Sequence, residues 1–291
     1  MDSYQFADGT AVVTGAASGI GEALAGRLAA RGSHLVLVDR DEARLTDVAD
    51  RTRAPHPALT VTTHVADLSD DEQTATLAAT LAAEHPETTL LVNNAGVALG
   101  GRFDQVTLDE FDWVMAVNFR SVVRLTHALL PVLKAHPGAH LVNVSSVFGI
   151  VAPAGQAAYS ASKFAVRGFS EALRHELAEN GVGVTVVHPG GIKTRIAESA
   201  RIGSGVSVEE YEQGRRQFAK LLTMPPDTAA AMIVEAIEKR RPRLLIGWSA
   251  TVPDVLARLL PGSYWKVIVR RAGRRSSDPG RSATESSCAG Q

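Results

Sequence analysis

A short β-branched run passes directly into a glycine-rich turn in the stretch Ala11-Val12-Val13-Thr14-Gly15-Ala16-Ala17-Ser18-Gly19-Ile20-Gly21. Leu24, Leu28 and Ala29 follow at helical spacing, so the turn joins a predicted strand to a predicted amphipathic helix. In this context backbone amides and a helix N-terminus can cradle a pyrophosphate. The spacing is GxxxGxG, which differs from the common GxGxxG fingerprint, and a tight turn alone would also explain the glycines. Their position between strand and helix favours the phosphate-binding interpretation.

Six further apolar runs predict strands, and helical patterns separate most of them. The predicted strands are Leu35–Val38, Val61–Val65, Leu90–Val92, Leu141–Val144, Val182–Val187 and Leu244–Ile246. This alternation predicts a single doubly wound (Rossmann-type) α/β domain with a parallel sheet over residues 1–247. A helix predicted over Leu108–Lys134 carries Asn118 in its middle, which indicates a local kink or a functional contact. The polar segment from Arg195 to Thr223 is typical of a mobile lid.

The composition is that of a soluble globular protein, with 45% hydrophobic and 21% charged residues among 291. A formal net charge of −1 gives no indication of a nucleic-acid partner. The single cysteine, Cys288, excludes an intramolecular disulfide and a cysteine-built metal site, and we expect no metal. Residues Met1–Phe6 lack the pattern of a secretory signal, and no apolar run approaches the length of a membrane span. We therefore expect a cytoplasmic protein.

An acidic residue, Asp39, ends the second predicted strand 18 residues after Gly21. An acid at about this distance is placed to bond the ribose hydroxyls of an adenosine and to repel a 2′-phosphate. Arg40 could instead pair with that phosphate, whereas Ala17 and Ser18 in the turn offer no basic group. We therefore predict NAD in preference to NADP. Alternatively, Asp39-Arg40-Asp41 could simply cap the next helix.

Tyr159 and Lys163 are four residues apart, which places both side chains on one face of a helix. A free tyrosine has a pKa of about 10 and exchanges protons poorly near neutral pH. A positive charge about 5 Å away, at an effective dielectric of about 20, would favour the phenolate by roughly 3 kcal/mol. Burial alone would raise the pKa, so the lysine is what would activate the tyrosine. The pair taken alone also fits an ordinary helix with one solvated lysine.

Together these features resemble the short-chain dehydrogenase/reductase family over roughly residues 6–247. The matching motifs are Thr14-Gly15-Ala16-Ala17-Ser18-Gly19-Ile20-Gly21, Asp67-Leu68, Asn93-Asn94-Ala95-Gly96, Asn118, Ser146, Tyr159-xxx-Lys163 and Pro189-Gly190. Each motif is weak evidence, but the ordered set is specific. The resemblance implies an NAD(P)-dependent oxidoreductase that interconverts a secondary alcohol and a ketone.

The resemblance also assigns catalytic roles. Tyr159 would be the general acid/base, and Lys163 would lower its pKa and bond the nicotinamide ribose. Ser146 would hold the substrate oxygen, with Ser145 as a rival for that role. Asn118 would anchor a water through which Lys163 exchanges protons with solvent.

The cofactor would be bound by residues spread along the chain, with Thr194 bonding the carboxamide. The full set is Gly15, Ser18, Gly19, Ile20, Gly21, Asp39, Arg40, Asp67, Leu68, Asn94, Ala95, Gly96, Tyr159, Lys163, Pro189, Ile192 and Thr194. His188 could act as a second base, but its place in an apolar strand favours a structural role. A homodimer or homotetramer is also implied.

The chain continues beyond the part that resembles the family. Residues 248–272 form a predicted amphipathic extension with two apolar segments, Asp254–Leu260 and Ser263–Arg271. From Arg258 to Arg281 the local net charge is +6, so peripheral membrane contact is one interpretation. Packing on the parent fold or on a second subunit near the substrate cleft is favoured over it. Residues 273–291 are predicted to be disordered.

Two other functions compete with the oxidoreductase. A lyase or epimerase of the same fold could retain the tyrosine and lysine. A non-catalytic NAD(P)-binding regulatory protein would bind nucleotide without turnover, although the presence of every expected catalytic residue argues against it.

Overall fold

The computed structural model describes residues 2–197 and 199–268, and its centre is a seven-stranded parallel sheet. The strand order is β3-β2-β1-β4-β6-β7-β9, and all seven predicted strands are confirmed. The strands of this sheet are β1 Thr10–Thr14, β2 His34–Asp39, β3 Val61–Val65, β4 Thr88–Asn93, β6 His140–Val144, β7 Gly183–Pro189 and β9 Arg243–Ile246. Two further short strands, β5 Leu99–Gly100 and β8 Arg201–Ile202, pair with each other outside it.

Helices cover both faces of the sheet, which confirms the doubly wound α/β architecture. The helices are α1 Gly19–Ala29, α2 Glu42–Arg53, α3 Asp71–Glu84, α4 Leu108–Met115, α5 Ser121–Ala135, α6 Ala157–Glu176, α7 Val208–Ala219, α8 Pro226–Glu238 and α9 Trp248–Leu259. One apolar core forms between the sheet and α1, α2 and α8, and the other between the sheet and α3, α5 and α6. Within the described ranges, none of the helices combines the length and apolar character needed to cross a bilayer.

The predicted helix over Leu108–Lys134 is not continuous. A π-helical turn, Ala116–Arg120, separates α4 from α5 and carries Asn118 at its centre. Because a π-turn widens the helix by one residue, it can turn a side chain away from the regular helical face. The irregularity predicted at Asn118 therefore has a defined cause within the predicted helical region.

The segment predicted as a lid is partly ordered by pairing. The strand β8 within it bonds to β5, and α7 follows. The helix α9 begins at Trp248, six residues before the predicted apolar segment at Asp254, and residues 264–268 are again helical. The predicted disordered tail, residues 273–291, and the end of the second apolar segment lie outside the described residues.

Candidate active site

A cleft of about 1760 Å³ opens at the carboxyl ends of the parallel strands. It lies where the strand order reverses between β1 and β4, which is the position at which doubly wound sheets bind ligands. Every predicted site residue lines this cleft except Gly21 and Asn118, which pack directly behind its wall. The fold therefore brings together residues that are distant in the sequence.

The glycine-rich turn is packed too tightly for side chains. Gly15 has a φ of +67°, and a Cβ there would lie 2.8 Å from Ala95 Cα. A Cβ at Gly21 would collide with the carbonyl oxygen of Gly15. Gly19, with a φ of +59°, faces Thr194 across the cleft, and a Cβ there would lie 3.1 Å from Thr194 Cγ2. Because these glycines carry no side chain, a group bound in the cleft can approach the backbone of the turn closely, as phosphate binding requires.

Asn94 fixes the turn from beneath. Its Nδ2 donates hydrogen bonds to the carbonyl oxygens of Thr14 at 2.9 Å and Gly15 at 3.2 Å. Thr14 Oγ1 in return accepts from the backbone N–H groups of Asn94 and Ala95, both at 3.0 Å. Asn94 thus lines the cleft and also ties the end of β4 to the end of β1.

The acid at the end of β2 is held by backbone amides. Asp39 Oδ2 accepts a hydrogen bond from Ala17 N at 3.0 Å, and its Oδ1 accepts from Arg40 N at 2.8 Å and Asp41 N at 3.1 Å. The Arg40 guanidinium lies 3.9 Å from an Asp67 carboxylate oxygen. Asp39 therefore both orients the glycine-rich turn and presents a negative charge at one end of the cleft. The alternative that this stretch caps the next helix is met by Asp41, the N-cap of α2, while Asp39 makes the separate contacts just described.

Tyr159 and Ser146 both line the cleft, and Ser146 Oγ accepts a hydrogen bond from Phe148 N at 3.1 Å. Burial raises the pKa of Tyr159, and the neighbouring Ser146 hydroxyl only partly opposes this effect. Ser145 also lines the cleft, but its Oγ donates to the carbonyl oxygen of Lys163 at 2.8 Å. The Ser145 hydroxyl is thus committed to a backbone bond, which favours Ser146 over its rival.

Lys163 lies behind the tyrosine ring and is buried. Its Nζ is 5.8 Å from the centre of the Tyr159 ring and donates to the carbonyl oxygen of Val144 at 3.1 Å. Burial lowers the pKa of Lys163 to about 8. The expectation that Lys163 lowers the tyrosine pKa stays a prediction. Desolvation of the phenol dominates, and the ammonium group is directed at a backbone carbonyl.

Asn118 connects the loop after β4 to α6 through hydrogen bonds of its side chain. Its Oδ1 accepts from Val97 N at 2.8 Å, while its Nδ2 donates to Val97 O at 3.0 Å and to Ser162 Oγ at 3.1 Å. Both amide hydrogens are thus used to join the loop after β4 to α6, and the water that the resemblance implies stays a prediction. A Cβ at Gly96 would lie 3.3 Å from both Asn118 Oδ1 and Lys163 Nζ, so this glycine keeps the space between them open.

Comparison with known proteins gives the family. The family model for short chain dehydrogenases matches residues 9–204. The chain belongs to the short-chain dehydrogenase/reductase family. SadH of Mycobacterium tuberculosis, whose name describes it as an oxidoreductase, is 39% identical over 263 residues, which are 89% of this chain and 93% of SadH.

Two solved structures share the whole fold of this short-chain dehydrogenase/reductase. A family member from Burkholderia phymatum in complex with NAD superposes with a TM-score of 0.75 at 28% identity, covering 97% of this chain and 99% of its own. A short-chain dehydrogenase from Sphingobium yanoikuyae in complex with NADPH gives a TM-score of 0.71 at 28% identity, covering 95% and 99%. These structures and the family model identify the protein as an oxidoreductase of this family.

His188 supports the active site of this dehydrogenase from behind. It is buried in β7, and its Nδ1–H donates to the backbone carbonyl oxygen of Ser146, with 3.0 Å between nitrogen and oxygen. Burial lowers the pKa of His188 to about 4, so the ring is neutral at physiological pH. The sequence favoured a structural role for His188, and its hydrogen bond defines that role. The ring fixes the backbone of Ser146, which lines the cleft together with Tyr159.

One group of side chains outside the cleft has the composition of a metal site. Among the described residues, His64, Glu84 and His85 are close enough for their ligand atoms to share a cation. The two histidine Nε2 atoms are 3.2 Å apart, which is the distance of a direct N–H···N hydrogen bond. This bond accounts for the pair without an ion, and we assign no metal to it.

The C-terminal extension lines the cleft, in agreement with the favoured interpretation of its two apolar segments. Leu256, Trp265 and Ile268 belong to those segments, whereas Trp248 and Val252, which also line the cleft, lie before them and were missed. Trp248, Val252 and Leu256 recur every four residues, so the apolar periodicity was present in the sequence. Pro253 interrupts the helical pattern at this point, which concealed the true start of the helix.

Proposed function

We propose that the protein is an NAD(P)-dependent oxidoreductase that interconverts a secondary alcohol and a ketone. The observation that carries this proposal is that half-buried Tyr159, Ser146 and the buried Lys163 line the same cleft as the glycine-rich turn, with Lys163 Nζ 5.8 Å from the centre of the Tyr159 ring. Proton transfer at an oxygen and binding of a dinucleotide are thereby combined in one site.

The cleft fits a dinucleotide. The turn at Gly15, Gly19 and Gly21 leaves no room for a Cβ, and its exposed backbone precedes the N-terminus of α1. Asp39 and Asp67 at one end suit an adenosine, while Thr194 at the other end faces the turn. The NAD and NADPH complexes of two relatives support a nicotinamide cofactor here. When bound, that group supplies or accepts the hydride.

The chain's own residues supply the proton chemistry. In ketone reduction, the Tyr159 hydroxyl gives its proton to the substrate oxygen, and in alcohol oxidation the phenolate takes it back. The raised pKa of Tyr159 keeps the phenol protonated at neutral pH, which suits reduction. Ser146 Oγ accepts from Phe148 N, so its own hydrogen can be donated to the substrate oxygen. The positive charge of Lys163 would favour the phenolate when that form is needed.

Replacing Ser146 with Ala is expected to lower kcat by about 10²-fold, because one donor to the reacting oxygen is lost. The neighbouring change Ser145→Ala is the matched control. It removes a bond to Lys163 O and should lower the free energy of unfolding by about 1 kcal/mol with a smaller effect on kcat. Steady-state kinetics and urea unfolding of both variants measure this difference. Equal losses of activity in the two variants would argue against the assignment of Ser146.

We further propose that Asp39 gives a preference for NAD over NADP, because its carboxylate would repel a 2′-phosphate. The change Asp39→Asn removes the charge and keeps one acceptor oxygen, so either the bond from Ala17 N or the bond from Arg40 N is lost. We expect the ratio of kcat/KM for NADP to that for NAD to rise by about tenfold, equivalent to roughly 1.4 kcal/mol. Asp47→Asn, on the exposed side of α2 and outside the cleft, is the control. An unchanged ratio of the two kcat/KM values would show that Asp39 does not determine the cofactor preference.

The experiment that tests the proposed function is a screen of secondary alcohols and ketones with NAD(H) and NADP(H), followed at the absorbance of the reduced cofactor. Turnover with net cofactor oxidation or reduction is the expected result. A same-fold epimerase or lyase would change the substrate without a net change in cofactor. A regulatory protein would bind NADH, as fluorescence shows, and turn over nothing.

A further inference from the structure

The helix α9 is attached to the fold by its polar side. Asp254 is buried and pairs with the Arg243 guanidinium on β9 at distances of 2.5 and 3.1 Å, and Arg258 Nε reaches the same carboxylate at 3.1 Å. Ala250 is the other fully buried residue of the helix. A water-soluble helix normally packs its apolar side inward, so this orientation is the reverse of the usual one.

The apolar side of α9 faces the cleft instead. Trp248, Val252 and Leu256 lie one turn apart along the helix and line the outer part of the cleft. Trp248 is 69% exposed and Val252 is 42% exposed, which is unfavourable for side chains of this type in water. Phe148 and Leu221 line the same cleft. The outer cleft is thus an apolar trough that ends at Tyr159.

Negative charge is confined to the other end. The acidic residues among the described lining of the cleft are Asp39, Asp41 and Asp67, all at the carboxyl ends of β2 and β3. The outer cleft therefore has no carboxylate among its described residues. It offers no such group to bind the hydroxyls of a sugar or the charge of an amine. Arg195 and Lys220, between β7 and α8, also line the cleft, so apolar contact is the main recognition that α9 itself offers.

We infer that the substrate of this enzyme is a ketone or secondary alcohol with a large apolar body, an extended hydrocarbon chain or a set of fused rings, that lies along α9. The inference rests on the proposed function, since it identifies what that site reduces or oxidises. Covering Trp248, Val252 and Leu256 with hydrocarbon removes their apolar surface from water. Each methylene buried in this way contributes enough to raise kcat/KM about three- to fourfold, as long as the trough is not yet filled.

The test uses the full chain and a series of 2-alkanones from 2-butanone to 2-dodecanone, with NADH and NADPH. We expect kcat/KM to rise about three- to fourfold per methylene over the first members of the series. Leu256→Gln places an amide in the trough and should flatten this rise. Leu259→Gln makes the same change one turn further along, at a residue that is 73% exposed and outside the cleft, and should leave the rise unchanged.

A second measurement does not depend on turnover. Trp248 and Trp265, two of the three tryptophans of the chain, line the cleft, so binding of 2-alkanols can be followed by tryptophan fluorescence. Tighter binding of 2-dodecanol than of 2-butanol, weakened by Leu256→Gln but not by Leu259→Gln, supports the inference. Equal kcat/KM or equal binding across the series, or the same response in both variants, overturns it and leaves the alcohol–ketone reaction standing. Length-dependent binding without turnover of any alkanone contradicts the proposed reaction instead.

Discussion

Replacement of Tyr159 by phenylalanine is expected to lower kcat by about 10³-fold, within the range that a general acid/base contributes. The variant loses one heavy atom, the phenolic oxygen, and keeps the ring that packs edge-on against Phe148. Binding of NADH should be nearly unchanged, because the glycine-rich turn and Asp39 are untouched. Steady-state kinetics with an active ketone and a fluorescence titration with NADH measure the two quantities separately.

A matched control removes the same atom from a tyrosine elsewhere. Tyr211 lies on α7 and does not line the cleft, so Tyr211→Phe should retain the kcat of the unmodified enzyme. A fully active Tyr159→Phe enzyme would falsify the acid/base assignment. Loss of NADH binding together with activity would instead show that the substitution disturbs the cofactor end of the cleft.

The same tyrosine predicts opposite pH dependences for the two directions of reaction. Burial raises the pKa of Tyr159, so the phenol is protonated at neutral pH. Ketone reduction needs this proton and should stay constant through neutral pH, then fall as the pH approaches the raised pKa. Alcohol oxidation needs the phenolate and should rise with pH over the same interval. Profiles of kcat/KM in both directions test this, and parallel profiles would contradict it.

Local patterns in the sequence were sufficient to predict the sheet and the cofactor end of the cleft. Both faces of a parallel sheet are buried, so its strands appear in the sequence as short apolar runs such as Leu35–Val38. The glycine positions follow from steric limits within a few residues of each other, as the collision between a Cβ at Gly21 and the carbonyl of Gly15 illustrates. Such features need no knowledge of the rest of the fold.

Features that depend on tertiary contacts were predicted poorly. The direction of the Tyr159 pKa depends on how deeply the ring is buried and on where Lys163 Nζ finds an acceptor. The partners of Asn118 are distant in sequence, so the sequence could indicate a contact but not identify it. In α9 the buried aspartate Asp254 attaches the polar side of the helix to the fold, so the apolar side does not face the core as amphipathic spacing usually predicts. In each case the behaviour of the side chain depends on residues that the fold brings into contact with it and that are distant in the sequence.

Lys163→Met is expected to make the protein inactive and yet more stable at neutral pH. Burial lowers the pKa of Lys163 from its ordinary value near 10.5 to about 8, so the unfolded chain holds this proton more tightly than the folded protein does. The free energy of unfolding should therefore rise with pH between about 8 and 10.5. Below that interval the folded protein bears the full penalty of the buried charge, about 3 kcal/mol at 1.36 kcal/mol per pKa unit.

Methionine is similar in length to lysine and needs no proton, so it removes this penalty but also removes the bond to Val144 O. Allowing about 1 kcal/mol for that bond, we expect the free energy of unfolding at pH 7 to rise by about 2 kcal/mol. The rise in stability between pH 8 and 10 should disappear. Above pH 10 the raised pKa of Tyr159 acts in the opposite direction, so urea unfolding should be compared at pH 7 and pH 9.5. Lys134→Met, at an exposed position of α5, should leave the pH dependence of stability intact. A Lys163→Met protein that is less stable than the unmodified enzyme at pH 7 would show that the charge is compensated in the fold, and that the lysine is held there for stability as well as for chemistry.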